Sequence, residues 1–424
     1  MGYAALLAYV TILFIRPQEW MPLLYGVNVL DYVMGVGLLA LVAHMMSGDE
    51  GFDDAPQNWL MLGLFGAVLM SHVRHTNLAG LTASVTDFGK TFLFYLLIIS
   101  FVTTVRRVRG LIVLMVVGCL FMSIHGIMQA HTGAGFGGAE PMIYEDFVRV
   151  RAFGIFHDPN DLSLMLVATI PFLLGAIFTR GTSLLLRILA AGTLVPFLYC
   201  IYLTNSRGGW LALAAMVFVF AYVKLPYKKV GFVLGLAAIP LVIALGPSRT
   251  ANIDTSGGSV HGRLIAWGDG IAMLKTNPLF GVGHGRYTIF SERTAHNSFV
   301  LCWGELGLVG YFFWLGMILA ALKDYWAFEN MDPRGPPGSE LKTLYKALTA
   351  GLMGFLAAAF FLSRSYLQPL FLMLGLFAAM RAIHERQEGD LEDGFHLSDW
   401  PYLAAAAVGS IIAMYLMVLI LNTL

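Results

Sequence analysis

Charge is scarce in this chain. Only 12% of its 424 residues are Asp, Glu, Lys or Arg, and 26 basic residues balance 26 acidic ones. Soluble globular domains carry about 25% charged residues. A net charge of zero supplies no basic surface for nucleic acid, so no nucleic-acid partner is expected. Cysteine is scarcer still. Cys119, Cys200 and Cys302 lie in apolar stretches without metal-ligand spacing or a disulfide pattern, and they read as small core residues. The acids Glu140, Glu145, Asp146, Asp158, Asp161, Asp254, Asp269 and Glu292 form no D-x-D pair, so neither a metal site nor any other cofactor is expected. No period of about 20–50 residues repeats, which excludes a solenoid. The opening MGYAALLAYVTILFI has no basic start and no small-residue cleavage site, so no cleavable signal peptide is expected.

Apolar residues fill the space that charge leaves, at 58% of the chain. Apolar runs fall at 3–15, 23–46, 58–73, 86–104, 110–129, 161–179, 187–204, 208–223, 229–246, 297–322, 344–362, 367–381 and 402–422. A membrane span needs about 20 such residues, so about 12–13 transmembrane helices are expected. The expected fold is an all-α polytopic membrane protein, one integral membrane domain over 1–424, in contact with membrane lipids. Basic residues mark the cytoplasmic side, which places RRVR at 106–109 and KLPYKK at 224–229 inside. Alternation then puts a smaller outer loop at 130–160, a large outer loop with short amphipathic helices at 247–296, and cytoplasmic loops at 323–343 and 382–400.

The outer basic residues are nearly all arginine: Arg16, Arg149, Arg151, Arg207, Arg249, Arg263, Arg286, Arg293 and Arg364. A guanidinium fork suits a planar or phosphate-like anion better than an ammonium does. Arg207 lies in TNSRGGW, a turn between two spans. It either snorkels to the headgroups or, beside Gly208 and Gly209, faces an approaching backbone or ligand. Leu264, Trp267, Ile271 and Leu274 recur at helical spacing, so 263–275 reads as an amphipathic helix that ends at Asn277-Pro278 and lies on the outer bilayer face. Arg263 then sits near its N-terminus, where a cation opposes the helix dipole but joins it in holding a phosphate; a lipid-headgroup contact is the plainer reading. GVGHGRY at 281–287, with Arg286, is a glycine-rich loop, either a turn or an anion cradle. Asp158 or Asn160 caps the helix that follows Pro159. Arg149 and Arg151 alternate along an extended segment and point the same way.

The stretch TAHNSFVLCWGELGLVG, 294–310, begins an apolar helix with His296 and Asn297 and carries glycines at 304, 307 and 310. On a continuous helix Gly307 lies about 20° from His296 and Gly310 about 40° the other way. One stripe then holds an imidazole at its end and small residues below, a face for close helix packing.

His296 and Asn297, nine residues, then Gly307 and Gly310 resemble the H-[NSQ]-x9-G-x-x-[GTY] signature of the bacterial O-antigen ligase and O-antigen polymerase superfamily. The order of NSRGG, an arginine helix, NPLFGVG and the histidine helix is similar too. Arg263 to Trp267 departs from that family's R-x-x-x-L in having Trp for Leu. IRPQEW, Ile15 to Trp20, resembles the exosortase-associated subset described as probable O-glycosylation ligases.

The resemblance implies an inverting, metal-independent glycosyltransferase in the bacterial inner membrane with its active site facing the periplasm. It implies a glycan donor on undecaprenyl pyrophosphate and an acceptor hydroxyl on lipid A-core, with polymerisation of O-antigen or exopolysaccharide, or transfer to protein, as the alternatives. His296 is the candidate base, with Arg263 and Arg207 stabilising the leaving pyrophosphate. Arg149, Arg151, Arg286, Asn297 and Arg364 are candidate substrate contacts. A reading of another class is a transporter for an anionic solute, for which Asp31, Asp87 and Glu305 are expected to be the main buried acids.

Overall fold

Every one of the apolar runs falls on a helix. The computed structural model describes residues 1–47, 55–144, 147–247, 258–331 and 335–423. Glu145, Asp146, Arg249 and Asp254, named above, lie outside the described residues, as does the 248–257 part of the large loop. The helices are α1 Gly2–Ile15, α2 Val29–Met46, α3 Pro56–Val73, α4 Leu78–Phe101, α5 Val105–Thr132, α6 Pro159–Phe178, α7 Leu184–Leu203, α8 Arg207–Lys224, α9 Lys228–Ala244, α10 Gly258–Thr276, α11 Tyr287–Phe290, α12 Ser298–Asn330, α13 Gly335–Ala359, α14 Gln368–Glu388 and α15 Trp400–Thr423. A two-stranded ribbon, β1 Met142–Ile143 with β2 Val148–Arg149, accompanies them. The chain is an all-α multi-pass membrane protein: among the described residues, eight helices are long and apolar enough to cross a membrane. Others fall short of a span in length, such as α1 with 14 residues and α9 with 17.

The chain forms two compact units. The first takes in residues 1–51, 97–253 and 332–358. Here α1 packs on α2 and α5, α6 on α5, α7 and α8, and α8 forms a hairpin with α9. Gly231 and Gly235, one helical turn apart on α9, meet the α8 backbone at Ala221 and Phe218, the small-residue contact that lets membrane helices approach closely.

The second unit takes in 52–96, 254–331 and 359–424. Its axis is α12, against which α3, α10, α14 and α15 pack. The expected amphipathic helix is present as α10 and ends, as expected, before Asn277-Pro278. Two details differ. It starts at Gly258, so Arg263 is in its second turn, beyond the reach of the dipole argument made for a first-turn cation. Leu264, Trp267 and Ile271 are buried in protein, so its apolar face is covered by α12 and α15 rather than left for lipid.

The largest departure is within α12. The continuous stripe expected from His296 through Gly310 does not exist. Gly307 has φ 64 and ψ −163, which breaks the helix into 298–306 and 308–330. A broken helix exposes backbone groups that must find partners. The loop 278–283 supplies them. Leu308 N donates to Pro278 O at 2.8 Å and Val309 N to Leu279 O at 3.1 Å; Val282 N donates to Gly304 O at 3.0 Å and Gly283 N to Glu305 O at 2.9 Å. A Cβ on Gly307 would overlap the Leu279 backbone, and one on Gly281 would overlap that of Glu305. NPLFGVG is therefore a backbone clasp across a helix break, and its glycines allow the contact.

Candidate functional site

In the second unit the start of α12 is organised by side-chain oxygens. Asn297 is its N-cap; Asn297 Oδ1 accepts from Phe299 N at 2.9 Å and Val300 N at 3.2 Å. The amide nitrogen of the same buried side chain has no hydrogen-bond partner among the described residues. His296, just outside the helix, has φ 48, a left-handed conformation in which Asn, Asp and His are enriched among non-glycine residues. Its backbone N donates to Ser363 Oγ at 2.8 Å, and Thr294 Oγ1 donates to the same oxygen at 2.6 Å. Ser298 Oγ donates to Leu362 O at 2.7 Å and accepts from Arg364 N at 2.8 Å. Ser365 Oγ closes the set on Ser298 O at 2.6 Å. A clasp of serines thus fastens the 362–365 turn to the first turn of α12. It brings His296, Asn297 and Arg364 together.

Arg263 joins from α10. Its guanidinium carbon lies 5.8 Å from the centre of the Phe361 ring, two residues before Ser363. Trp267, four residues on, donates Nε1 to Ala295 O at 2.9 Å and packs its ring on Phe360. The Trp that replaces the family's Leu therefore has a positive use: it ties α10 to the residue next to His296. Arg286 stands in the clasp loop, with Nη1 donating to Val282 O at 3.1 Å and the guanidinium 5.6 Å from the Phe290 ring centre.

The loop that carries Arg286 is held by histidines. His284 Nδ1 is 3.0 Å from Ser84 Oγ, which is 2.8 Å from His72 Nε2, while His75 Nε2 meets Gly281 O at 2.9 Å. His72 and His75 have H-x-x-H spacing, which the expectation of no metal site passed over. Their bonds here are to a hydroxyl and a carbonyl. Burial, reinforced by the neighbouring His72, pushes the His284 imidazole down to about 4.

Arg149, Arg151 and Arg207 belong to the first unit. Ser206 caps α8 by accepting from Gly209 N at 3.0 Å, and Arg207 is the first helical residue. A Cβ on Gly209 would overlap Ser163, so of the two expectations for that glycine, a neighbouring chain segment or a ligand, α6 takes the space. Asp158 caps α6 through Asn160 N at 2.7 Å, as expected. Arg149 is buried, donating Nε to Thr204 O at 2.9 Å and Nη2 to Asn160 Oδ1 at 2.8 Å, an oxygen that also accepts from Ser206 Oγ at 2.7 Å. Arg149 therefore holds the turn from which Arg207 emerges. Arg151 differs from it: Nε donates to Glu140 O at 3.1 Å and Nη1 meets His157 Nε2 at 2.7 Å. The two guanidiniums, expected to point the same way, engage separate partners.

Two features escaped the sequence reading. IRPQEW docks on this same loop: Glu19 Oε2 accepts from Gly154 N at 2.8 Å, and Arg16 packs against Gly154 and pairs with Glu19 at 3.4 Å. Arg293 was counted only as one of the outer arginines. Among the described residues its exposed guanidinium makes no hydrogen bond and no ion pair. The acids named for a transporter also differ in placement. Glu305 is buried under the clasp, accepting from Tyr287 N at 3.1 Å, whereas Asp31 and Asp87 are exposed on the protein surface.

Residues 192–315 match the model of a family described as O-antigen ligase. The matched segment contains Arg207, Arg263, Arg286, His296 and Asn297. The exopolysaccharide production protein ExoQ of Rhizobium meliloti (strain 1021) is 26% identical over 185 residues, covering 37% of this chain and 42% of that protein. The aligned region thus spans less than half the length of this curated relative. No solved structure matches the chain.

Proposed function

We propose, from the match of residues 192–315 to the O-antigen ligase family model and the similarity to ExoQ, that the chain is a membrane glycosyltransferase of the O-antigen ligase and polymerase superfamily. It moves a glycan from a polyprenyl pyrophosphate, undecaprenyl pyrophosphate in a bacterium, to an acceptor hydroxyl at the periplasmic face of the inner membrane. The observation that supports this reading is the serine clasp, which holds the backbones of His296 and Arg364 at one helix mouth.

In the proposed step the imidazole of His296 removes the proton of the acceptor hydroxyl as its oxygen attacks the anomeric carbon. The bond from that carbon to the phosphate oxygen breaks, with inversion, and the pyrophosphate leaves with the electron pair. Imidazole is the side chain whose charge ordinarily changes near neutral pH. Arg263 and Arg364 offset the charge that develops on the leaving group, a contribution that is large when the donors are held in place beforehand. Asn297 orients the helix mouth, and its unpartnered amide N–H is a further donor at the site. Arg286 is a second-rank phosphate contact. In the first unit, Arg207 is the proposed contact to an anionic substrate group; Arg149 and Arg151 hold its surroundings.

The proposed acceptor is a lipid A-core sugar. A second reading, chain extension of an exopolysaccharide, is favoured by the name of the Rhizobium relative. The test is deletion in the native host, followed by analysis of lipopolysaccharide, exopolysaccharide and glycoproteins. Loss of glycan from lipopolysaccharide alone supports ligation, and loss of exopolysaccharide supports extension. A mutant with all of them unchanged, and a purified protein inactive on lipid-linked donor, would sink the proposal.

A further inference from the structure

A cavity of about 580 Å³ is lined by residues of α10 and of the segment that leads to the base, and the mechanism above does not use it. Ligand pockets commonly measure about 300–1,000 Å³. One wall is α10, with His261, Gly262, Ile265, Ala266 and Asp269. The other is the turn after α11, with Phe290, Ser291, Glu292 and Arg293. Arg293 is three residues before His296. The cavity and the base are therefore joined by a short tether, itself pinned to α10 through Trp267 and Ala295.

The charges in this cavity distinguish it from the arginine side. Asp269 and Glu292 outnumber Arg293, so a pyrophosphate would meet net repulsion unless His261 were protonated. The hydrogen-bond inventory points to a polyol instead. Ser291 Oγ donates to Asp269 Oδ2 at 2.7 Å, fixing that carboxylate while Oδ1 makes no hydrogen bond among the described residues. Glu292 is exposed. Free carboxylate oxygens accept from neighbouring hydroxyls, and a guanidinium donates to ring and hydroxyl oxygens. Phe290 is 51% exposed and offers an aromatic surface to the apolar face of a pyranose ring. A Cβ on Gly262 would overlap the Arg293 guanidinium, so the glycine leaves that cation its place.

We propose that this cavity holds the hydroxyl-bearing acceptor sugar, with Asp269, Glu292 and Arg293 as its polar contacts and Phe290 as its stacking surface. The proposal rests on the glycosyltransferase reading and names the acceptor half of that site. Binding and transfer are separable, so each can fail alone.

The experiment uses the full chain in detergent micelles with two probes. The first is a panel of neutral disaccharides built on glucose, galactose, mannose and N-acetylglucosamine, read by saturation-transfer NMR. The second is inorganic pyrophosphate, read by thermal protection. At least one disaccharide is expected to bind. Asp269→Asn with Glu292→Gln is expected to weaken it at least about tenfold, as loss of charge-assisted hydrogen bonds does, with pyrophosphate protection kept or increased. Arg263→Ala is expected to do the reverse. Gly262→Ala, which displaces the Arg293 guanidinium with little effect on the backbone, is expected to lower sugar binding only. No disaccharide binding by the wild type, or equal binding by the double variant, overturns the cavity proposal even if transfer activity stands. Sugar binding at this cavity in a protein that never consumes lipid-linked donor retains the cavity and sinks the enzyme reading.

Discussion

The helix α12 carries polar groups toward both ends, and the two ends treat them differently. Toward its C-terminal end Asp324 is buried with Arg381. Asp324 Oδ1 accepts from Arg381 Nη1 at 2.8 Å and from Phe395 N at 2.9 Å, and Oδ2 accepts from Gln57 Nε2. Arg381 Nε then donates to Glu385 Oε1 at 2.7 Å. Charges there answer one another, and the result is a structural network, with Gln57 Oε1 left over, that holds the 391–399 segment against the helix. At the His296 end the bonds that hold the mouth together come from serine and threonine hydroxyls and the backbone. Arg286 engages a carbonyl and a ring, Arg293 engages nothing described, and the Asn297 amide lacks an acceptor. A buried donor left unpaired costs about 1–3 kcal/mol. The same helix thus has a closed end, where buried charges are paired with each other, and an open end, where the guanidiniums of Arg286 and Arg293 have no carboxylate partner among the described residues, the end proposed to receive substrate.

If that contrast is right, the largest effect on activity comes from the open end and leaves the fold alone. His296→Ala is expected to abolish transfer with normal expression and only a small fall in melting temperature, because alanine suits the left-handed φ of 48 less well than histidine. His296→Asn is the sharper version. Asn tolerates the left-handed φ of 48 but cannot take up a proton, so loss of turnover in a stable Asn variant assigns the imidazole to proton transfer. Near wild-type turnover in either variant would remove His296 from the chemistry.

The closed end should show the opposite pattern. Asp324→Ala leaves Arg381, whose side chain is 4% exposed, without its main counter-charge. Breaking a buried pair in this way costs about 3–5 kcal/mol. Chemical or thermal unfolding should show that loss, while the folded fraction keeps its turnover per molecule. A variant that is stable but inactive would mean this end is functional.

The helix break between the two ends gives the next effect. Gly307→Ala places a Cβ into the Leu279 backbone at positive φ, which costs at least about 1–2 kcal/mol in conformation alone. The clasp should loosen, and with it the His296 mouth, so activity and stability should fall together. Gly268 on α10 has nothing within 4 Å of an added Cβ. Gly268→Ala is the control, expected to be neutral or to stabilise by about 0.5–1 kcal/mol.

What the sequence made legible follows the same divide. Helix positions could be read because long apolar runs impose them, and the cap at Asp158 has a local signature. The His296 mouth was legible through residue chemistry, since an imidazole and an Asn before an apolar helix are costly unless used. The break at Gly307 was not. Helical-wheel reasoning assumes continuity, and a glycine that bends a chain looks the same in sequence as one that lets a neighbour pack. The signal was present in NPLFGVG, whose Gly281 and Gly283 also have positive φ, but it takes both segments together to read it. Arg149 was missed as a structural residue for a similar reason: its partners Thr204 and Asn160 are set by tertiary folding. Arg293 was passed over because exposure and lack of a partner are not visible in sequence.

A smaller expected effect separates phosphate binding within the open end. Arg263→Lys keeps a charge over Phe361 but loses the fork, whereas Arg263→Ala loses both. Donor affinity should fall in the order wild type, Lys, Ala, with Ala roughly tenfold or more below wild type if a charge-assisted pair is lost. Equal losses would argue against a bidentate contact.

The mildest test concerns the loop that carries Arg286, and it is read as a slope. His284 in the folded protein takes a proton only near pH 4, against 6.5 for a free imidazole. Between those values the unfolded chain binds more protons than the folded one. Stability from this group is therefore complete above about pH 6.5 and is lost as pH falls toward 4, by at most about 1.4 kcal/mol per pH unit. Ser84, the rings of Phe88 and Tyr366, and His72 are the neighbours that hold it neutral. His284→Gln should flatten the acid limb of a melting-temperature profile taken from pH 7 to 4.5, while the wild type declines. If both profiles decline in parallel, the acid sensitivity resides elsewhere. If the Gln variant also loses donor affinity at pH 7, the histidine chain positions Arg286 directly, and the open end then depends on a buried polar network of the kind that its opposite end displays.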